Sequence, residues 1–422
     1  MHSFELYMPT RLVYGADSIE KLAAAAAPYG KRALITYGGG SVVRSGLLDR
    51  VKKALTGFEV VEFSGIEPNP RVTSVNAAAK LAREQKADFI VAVGGGSVID
   101  ASKAIAAAVK YDGDAWDLVK DGSLIKGALP LFSVLTLAAT GSEYDAPGVI
   151  SNMDTNEKQA ISSPLLFPKA SFCDPSVSAS VPAWHTAAGA ADIMSHTFEQ
   201  YLVIEGNDIS DGFCETILKT VVKNAPICIK DPTNLEARSA MMLASSFGCC
   251  GLLAIGNMPS PWPCHAIEHE ISAWHDITHG VGLAIITPHW MRYSLNEKTA
   301  PRFAQYAVNV WGMDPKGDVM ELANAAIDKT AEFFASIGIP QRLSEVGVDD
   351  SHFEAMADHI PTCWWPLSGA LRPIDKAGVI EILRASLCSE PIQTKRPGRK
   401  VISRAVCLRG AGQTPRGMTM RN

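Results

Sequence analysis

Three times in its first 140 residues the chain runs an apolar, β-rich segment into glycine or other small residues. RALITY (32–37) leads into GGGS, DFIVAV (88–93) into a second GGGS, and LPLFSVLTL (129–137) overlaps the start of TLAATGSE. Each then continues into a helix-like segment, of which VIDASKAIAAAVK (98–110) is the clearest. A strand that ends in a glycine turn and opens a helix, repeated, specifies a parallel α/β sheet, because parallel neighbours need a crossover between them. The GGGS-Val elements at 38–42 and 94–98 are two such turns; nothing else repeats with them, so they are not a solenoid period.

From residue 181 the texture changes. PAWHTAAGAADIMSHTFEQYLV, DGFCETILKTVVKNAPICI and LEARSAMMLASSFGCCGLLAI carry helical periodicity and few β-branched runs, and further helices are expected over 301–311 and 318–337. The division expected is an α/β domain over 1–180, a helical domain over 181–388, and a tail over 389–422. The tail holds eight Lys and Arg against the single acid Glu390, interrupted by Gly and Pro, and reads as a basic, disordered segment.

At 422 residues the chain can bury two sizeable cores. A net charge of −5 and the lack of any arginine-aromatic cluster argue against a nucleic-acid partner. The N-terminal MHSFELYMPTRLVYG has no basic start leading into an apolar run, so no signal peptide is expected. The longest apolar stretch, ALPLFSVLTLAA (128–139), is too short for a bilayer span of roughly 20 residues, so no membrane partner is expected. Nine scattered cysteines without a Cys-x-x-Cys pair suit free thiols in a reducing cytoplasm.

The second glycine turn has the form of a phosphate cradle. Gly94, Gly95, Gly96 and Ser97 let backbone amides approach an anion closely, and the helix that follows adds its positive N-terminus. Asp100 and Lys103 fall on its first turns, where a ribose or phosphate would sit. Thr136, Thr140 and Ser142 add hydroxyls suited to the same ligand. The loop is not G-x-G-x-x-G, so the common dinucleotide fingerprint is absent. The first turn, Gly38, Gly39, Gly40 and Ser41, lacks the acid that would bond an adenosine 2′-hydroxyl and repel a 2′-phosphate. NADPH (NADP+) is therefore the expected cofactor.

Four of the ten histidines lie in HAIEHEISAWHDITHG (265–280). Residues four apart share a helix face, which pairs Asp192 with His196 and His265 with His269. His279 precedes a glycine, where a helix can end. Scattered surface or core histidines are the plain alternative, but one carboxylate with two or three imidazoles suits a single divalent metal, Fe2+ or Zn2+.

These segments together give the chain a family resemblance. YGGGSV, GIEPNP, AVGGGSVID, LTLAATGSE, GAADIMSHTFEQY and HAIEHEISAWHDITHG occur in order over residues 1 to about 388. They resemble the iron-containing (group III) alcohol dehydrogenases, in the branch of NADPH-dependent butanol dehydrogenases and broad-range aldehyde reductases. The resemblance implies a Rossmann-like parallel-sheet domain followed by an all-α domain, a dehydroquinate synthase-like architecture with a cleft between the two. It assigns the metal to Asp192, His196, His265 and His279, and places His269 beside the nicotinamide without making it a ligand; a proton relay is the role read for it, with a residue that only orients the site as the alternative. It adds Asn69 of GIEPNP and Lys158 of NEKQAI to the cofactor-binding set. His275 receives no role. A homodimer and a small aldehyde or alcohol substrate are also implied. The chain departs from the branch at Ala138, Tyr144 and Asp145, near the expected nicotinamide end, and the basic tail has no counterpart.

The chemistry expected is hydride transfer between nicotinamide and an aldehyde carbonyl, with the metal as Lewis acid. Two other readings are weighed beside it. One is a relative of the same architecture, a glycerol dehydrogenase or a dehydroquinate-synthase-like cyclase. The other is a dinucleotide-binding metalloprotein impaired by its tail.

Overall fold

Six parallel strands form the sheet that organises the N-terminal half: β1 (Arg11–Tyr14), β2 (Arg32–Tyr37), β3 (Glu59–Phe63), β4 (Phe89–Gly94), β5 (Leu131–Leu135) and β8 (Ala170–Cys173). The computed structural model describes residues 1–388, and the expectations for the basic tail lie outside them. The strand order is β1-β8-β5-β4-β2-β3, every neighbouring pair parallel. Side chains alternate across the sheet. Leu34, Ile90 and Ala92 enter the core on one face, while Ala33, Ile35, Val91 and Val93 enter the core on the other. A strand buried on both faces reads as a continuous apolar run, which is why RALITY and DFIVAV stand out in the sequence.

The chain leaves β2 for β3 on one side and returns to β4 on the other. The strand order thus switches direction between β2 and β4, the place where open α/β sheets bind ligands at their carboxyl ends. Tyr37 lies opposite Val93 in that pair, so the two glycine turns that follow are neighbours. They are distant in sequence and adjacent in space.

After β5 the third unit departs from the expected pattern. No helix follows AATGSE. Residues 136–147 form irregular turns and lead into an antiparallel hairpin of β6 (Gly148–Asn152) and β7 (Glu157–Ile161). Its docking explains the exception: the Val149 amide donates to Asp100 Oδ2 at 3.0 Å, fastening the hairpin to helix Gly96–Ala108.

Strands end at Cys173, and a helical run begins at Ala183. Helices Ala183–Tyr201, Pro263–His275 and His279–Ser294 pack around a core that includes Ile193, Phe198, Ile267, Ile271, Leu283 and Trp290. Helices Ala300–Asn309 and Val319–Ser336 follow, and Lys376–Cys388 closes the described chain. Among the described residues no helix is long and apolar enough to cross a membrane. Seven described cysteines, Cys249 and Cys363 among them, carry free thiols.

Candidate active site

The buried carboxylate of Asp192 sits at the centre of a ring of imidazoles. Its Oδ1 lies 3.5 Å from His196 Nδ1, 4.0 Å from His265 Nε2 and 3.8 Å from His279 Nε2. Asp192 and His196 share one face of helix Ala183–Tyr201, four residues apart. His265 stands on helix Pro263–His275, its ring stacked on His196 at 4.6 Å between centroids. His279 reaches the same point from a different helix. On one continuous helix, 14 residues from His265 would carry it about 21 Å away. Instead the helix stops at His275, Asp276 turns left-handed at φ 49°, and His279 opens the next helix.

Asp192 Oδ1, His196 Nδ1 and His265 Nε2 are buried and have no hydrogen-bond partner. Leaving three such atoms together unsatisfied is costly, and one cation among them would satisfy all three. The ligand atoms of Asp192, His265 and His279 lie within 4.8 Å of one another, and His196 faces the same carboxylate oxygen. An all-oxygen-and-nitrogen donor set of this kind fits a divalent metal.

Two glutamates that the sequence reading missed orient two of these imidazoles. Glu199 accepts the His265 amide at 3.0 Å and faces His265 Nδ1 at 3.2 and 3.3 Å. Glu268 bonds His279 Nδ1 closely. With each Nδ1 tied to a carboxylate, Nε2 is left to face the centre, an arrangement that fixes tautomer and ring orientation. Helix spacing carried the signal: Glu199 is three residues beyond His196 and Glu268 three beyond His265, on the same faces.

Burial raises the Asp192 carboxyl above the usual range, against the pull of His279 and His265. Burial pushes His196 and His269 well below the ordinary imidazole value, and neighbouring positive groups add to it. Burial also works against the His265 cation, but Glu199 outweighs it and the net shift is upward. For Glu268, burial acts upward and is overcome by His279 and Lys158, which hold the carboxyl far below its usual range.

His269 faces the same cleft without joining the central set. It is buried, its Nδ1 has no partner, and its ring lies 5.5 Å from that of His279 and 5.0 Å from that of Trp364. His275 lies apart, its ring 6.1 Å from that of His352.

The cleft that contains this cluster is also lined by Asn69, Ser97, Asp100, Thr140, Ser142, Asp145 and Lys158, with Trp262, Trp364 and Trp365 as apolar walls. Asn69 Nδ2 donates to Asp276 Oδ1 at 2.9 Å and to the Ile277 carbonyl at 3.1 Å, so its amide joins the sheet side to the turn before His279. Ser142 Oγ donates to Asp100 Oδ1 at 2.5 Å. Lys158 comes in on the hairpin, its Nζ 3.3 Å from Glu268 Oε2 and 3.4 Å from His279 Nδ1. The Asp192–histidine cluster therefore shares its cleft with Ser97 of the second glycine turn and with Asp100, Thr140 and Ser142.

The glycine turns have the close packing that their lack of side chains permits. Gly94 ends β4 and Gly95 caps helix Gly96–Ala108. A Cβ on Gly96 would meet Thr140 at 2.4 Å. Gly40 adopts φ 96° before Ser41 starts a short helix. A second pocket beside this turn is lined by Ser41, Arg44, Ser45, Gly95, Thr136, Leu137 and His185. Arg44 is a further residue absent from the sequence expectations; Gly38 and Gly39 lie in the same turn.

Lys103 requires a correction. It is fully buried, and its Nζ donates to Asp145 Oδ1 and to the Pro147 carbonyl, both at 2.7 Å. Lying two turns along helix Gly96–Ala108, it points into the packing between helix and hairpin and not toward the phosphate cradle. The same ion pair accounts for Asp145 in place of a smaller residue. Burial, relieved by Lys103, brings the Asp145 carboxyl up to about 7. Tyr144 packs edge-on against Phe247 at 5.8 Å, and the Ala138 carbonyl lies against Gly189; neither is among the residues lining the cleft.

Comparison with known proteins finds similarity along both halves of the chain. The model for iron-containing alcohol dehydrogenase matches residues 9–175, and the C-terminal model of the Fe-containing alcohol dehydrogenase family matches residues 186–387. NADH-dependent butanol dehydrogenase A of Clostridium acetobutylicum is 47% identical over 389 residues, spanning 92% of this chain and all of its own. NADPH-dependent aldehyde reductase YqhD of Escherichia coli is 41% identical over 360 residues, spanning 84% of this chain and 92% of its own. The crystal structure of NADH-dependent butanol dehydrogenase A from Thermotoga maritima superposes with a TM-score of 0.87 at 34% identity, over 92% of this chain and 99% of that one.

Proposed function

The chain belongs to the iron-containing alcohol dehydrogenase family, and on that premise we propose that it interconverts small aldehydes and primary alcohols of the butanal–butanol type, with NADPH as its preferred cofactor. The observation that carries the reading is the set of partnerless donor atoms on Asp192, His196 and His265 in a cleft also lined by Ser97, Thr140 and Ser142. Asp192, His196, His265 and His279 would hold one divalent ion, Fe2+ or Zn2+. When bound, the ion supplies Lewis acidity at the carbonyl oxygen and the reduced dinucleotide supplies the hydride.

The chain's own residues prepare that chemistry. Glu199 and Glu268 hold two imidazoles in register. The amides at Gly95, Gly96 and Ser97 open helix Gly96–Ala108 toward the pyrophosphate position. Trp262, Trp364 and Trp365 give the cleft an apolar wall suited to an alkyl chain. Reduction places a hydride on carbon and requires a proton at oxygen. His269, kept neutral by burial, is assigned as the relay: it takes a proton on one ring nitrogen as it releases one from the other.

The NADPH preference rests on Arg44 and Ser41 lining the second pocket, and on the lack of an acid there. A guanidinium suits a 2′-phosphate, which a carboxylate would repel. NADH is the rival cofactor, favoured by the name of the 47% identical relative.

The test follows oxidation of each cofactor with butanal, before and after chelation and metal restoration. Activity that needs aldehyde and metal, with higher kcat/KM for NADPH, supports the proposal. Metal-independent turnover would overturn the ligand assignment, and equal efficiencies would overturn the cofactor preference. Gly39 is the position for a reversal, since a side chain there meets nothing within 4 Å, whereas a Cβ on Gly38 lies 3.1 Å from the Ile66 carbonyl. Gly39→Asp is expected to move preference toward NADH.

A further inference from the structure

A second group of metal-ligating side chains lies outside the cleft, on another face of the helix that carries His265 and His269. Glu270 Oε1 is 2.8 Å from His359 Nδ1 and 3.7 Å from Cys363 Sγ, and Cys363 Sγ is 3.7 Å from His359 Nδ1. One ligand atom from each residue falls within 4.8 Å of the others. His359 and Cys363 share a face of helix Phe353–Cys363, four residues apart.

Three features distinguish this group from an ordinary ion pair. First, Glu270 is only 2% exposed and its Oε2 has no partner, so a carboxylate is buried with one oxygen unsatisfied. Second, the far nitrogen of His359, Nε2, faces Glu157 Oε1 at 3.2 Å, and that carboxylate is itself held by Lys120 at 3.1 Å. A proton placed there leaves the Nδ1 lone pair directed at Glu270 and Cys363, the carboxylate–histidine pairing found behind metal-bound imidazoles. Third, the separations approach those of a tetrahedral ion. With zinc bond lengths of about 2.3 Å to sulfur and about 2.1 Å to nitrogen or oxygen, sulfur stands about 3.6 Å from its neighbours, and nitrogen about 3.4 Å from oxygen. The two sulfur distances already match; the Glu270–His359 contact must open by about 0.6 Å.

We infer that Glu270, His359 and Cys363 form a second divalent-metal site, selective for zinc or a similar thiolate-binding ion, with solvent completing the coordination from the partly exposed side of His359 and Cys363. Thiolate with imidazole favours zinc over magnesium or calcium. Such an ion would clip helix Pro263–His275 to helix Phe353–Cys363. Trp364 and Trp365 follow Cys363 directly and line the cleft, so the clip would fix that wall. The inference does not depend on the substrate or cofactor proposed above.

Cobalt substitution tests it, because the Asp192 cluster contains no sulfur. The full chain is stripped of metal and titrated with Co2+. The expected result is a second bound equivalent together with a near-ultraviolet thiolate-to-cobalt charge-transfer band. Cys363→Ser should abolish the band and one equivalent, and His359→Gln should weaken the same equivalent. Cys249→Ser, which alters the thiol lining the cleft, should leave the band intact. No band in the unmodified protein at saturating Co2+ would overturn the site, whatever the variants do. So would a band that survives Cys363→Ser or disappears in Cys249→Ser.

Discussion

Glu199 lies behind His265, yet it governs how that imidazole is presented to the proposed metal site. It satisfies the His265 amide and faces Nδ1, so its removal would free the ring to turn and to change tautomer. Glu199→Gln retains the shape and loses the charge. The expected outcome is a fall of about 10- to 100-fold in affinity at the Asp192 site, read by competition with a chromophoric chelator. An unchanged affinity would show that His265 is oriented by packing alone. Lys103 presents the opposite case, a residue whose position in the sequence suggests phosphate and whose surroundings deny it. Lys103→Met would leave Asp145 buried without its partner, and removing one member of such a pair costs about 3–5 kcal/mol. Thermal unfolding should show that loss while the KM for NADPH in the surviving folded enzyme stays near its original value. A large rise in KM with unchanged stability would return Lys103 to the cofactor site.

Helices bring these residues together, and two glycines set how closely helix Ala183–Tyr201 is approached, Gly280 from helix His279–Ser294 and Gly189 against the turn at Ala138. A Cβ on Gly280 would stand 2.0 Å from the Ala188 carbonyl oxygen, and one on Gly189 would stand 2.2 Å from that of Ala138. Both obstacles are backbone, which cannot swing aside. Gly280→Ala must therefore push helix His279–Ser294 away from helix Ala183–Tyr201 and carry His279 away from Asp192. Overpacking of this kind costs about 1–3 kcal/mol. The variant should lose metal content along with thermal stability, measured by elemental analysis and calorimetry; full metal content would refute a positional role for that contact. The sequence made some of these elements legible and hid others. Strands buried on both faces announced themselves as apolar runs, and the i,i+4 pair Asp192–His196 placed two of the proposed ligands on one helix face. The turn at Asp276–Thr278 was not readable in the same way, because its left-handed Asp276 is held by the helix end and by Asn69 and Arg71 from the sheet side. The β6–β7 hairpin was hidden for a similar reason: it depends on Asp100, about 50 residues earlier, to receive the Val149 amide. The inward course of Lys103 depends on the turn that leads into that hairpin, through Asp145 and Pro147. Contacts across long sequence separations, and not local propensity, decided each of these.

At the scale of the whole molecule, every core described here lies within Met1–Ser389. Helix Lys376–Cys388 is its last element, with Val379, Ile382, Leu383 and Ser386 all buried. The family match ends at residue 387, and the butanol dehydrogenase of Clostridium acetobutylicum is spanned completely by 389 aligned residues. Residues 389–422 add a charge of +7 to a chain whose total is −5, and their Gly and Pro interrupt any periodic apolar face. A segment of that composition gains little by burial, so stability should reside in the residues before it. A chain ending at Cys388 is expected to unfold at the same temperature as the full chain and to reduce butanal with the same kcat/KM. Its isoelectric point should fall, because the basic residues are gone while the acids remain. The competing expectation comes from VISRAVCL (401–408), apolar enough to cover part of the helical core or a second copy of the chain. Calorimetry and steady-state kinetics on the two forms distinguish these outcomes, and sedimentation shows whether a second copy is involved. A lower unfolding temperature after truncation would assign the segment to the fold, and a change in mass that depends on it would assign the segment to an interface.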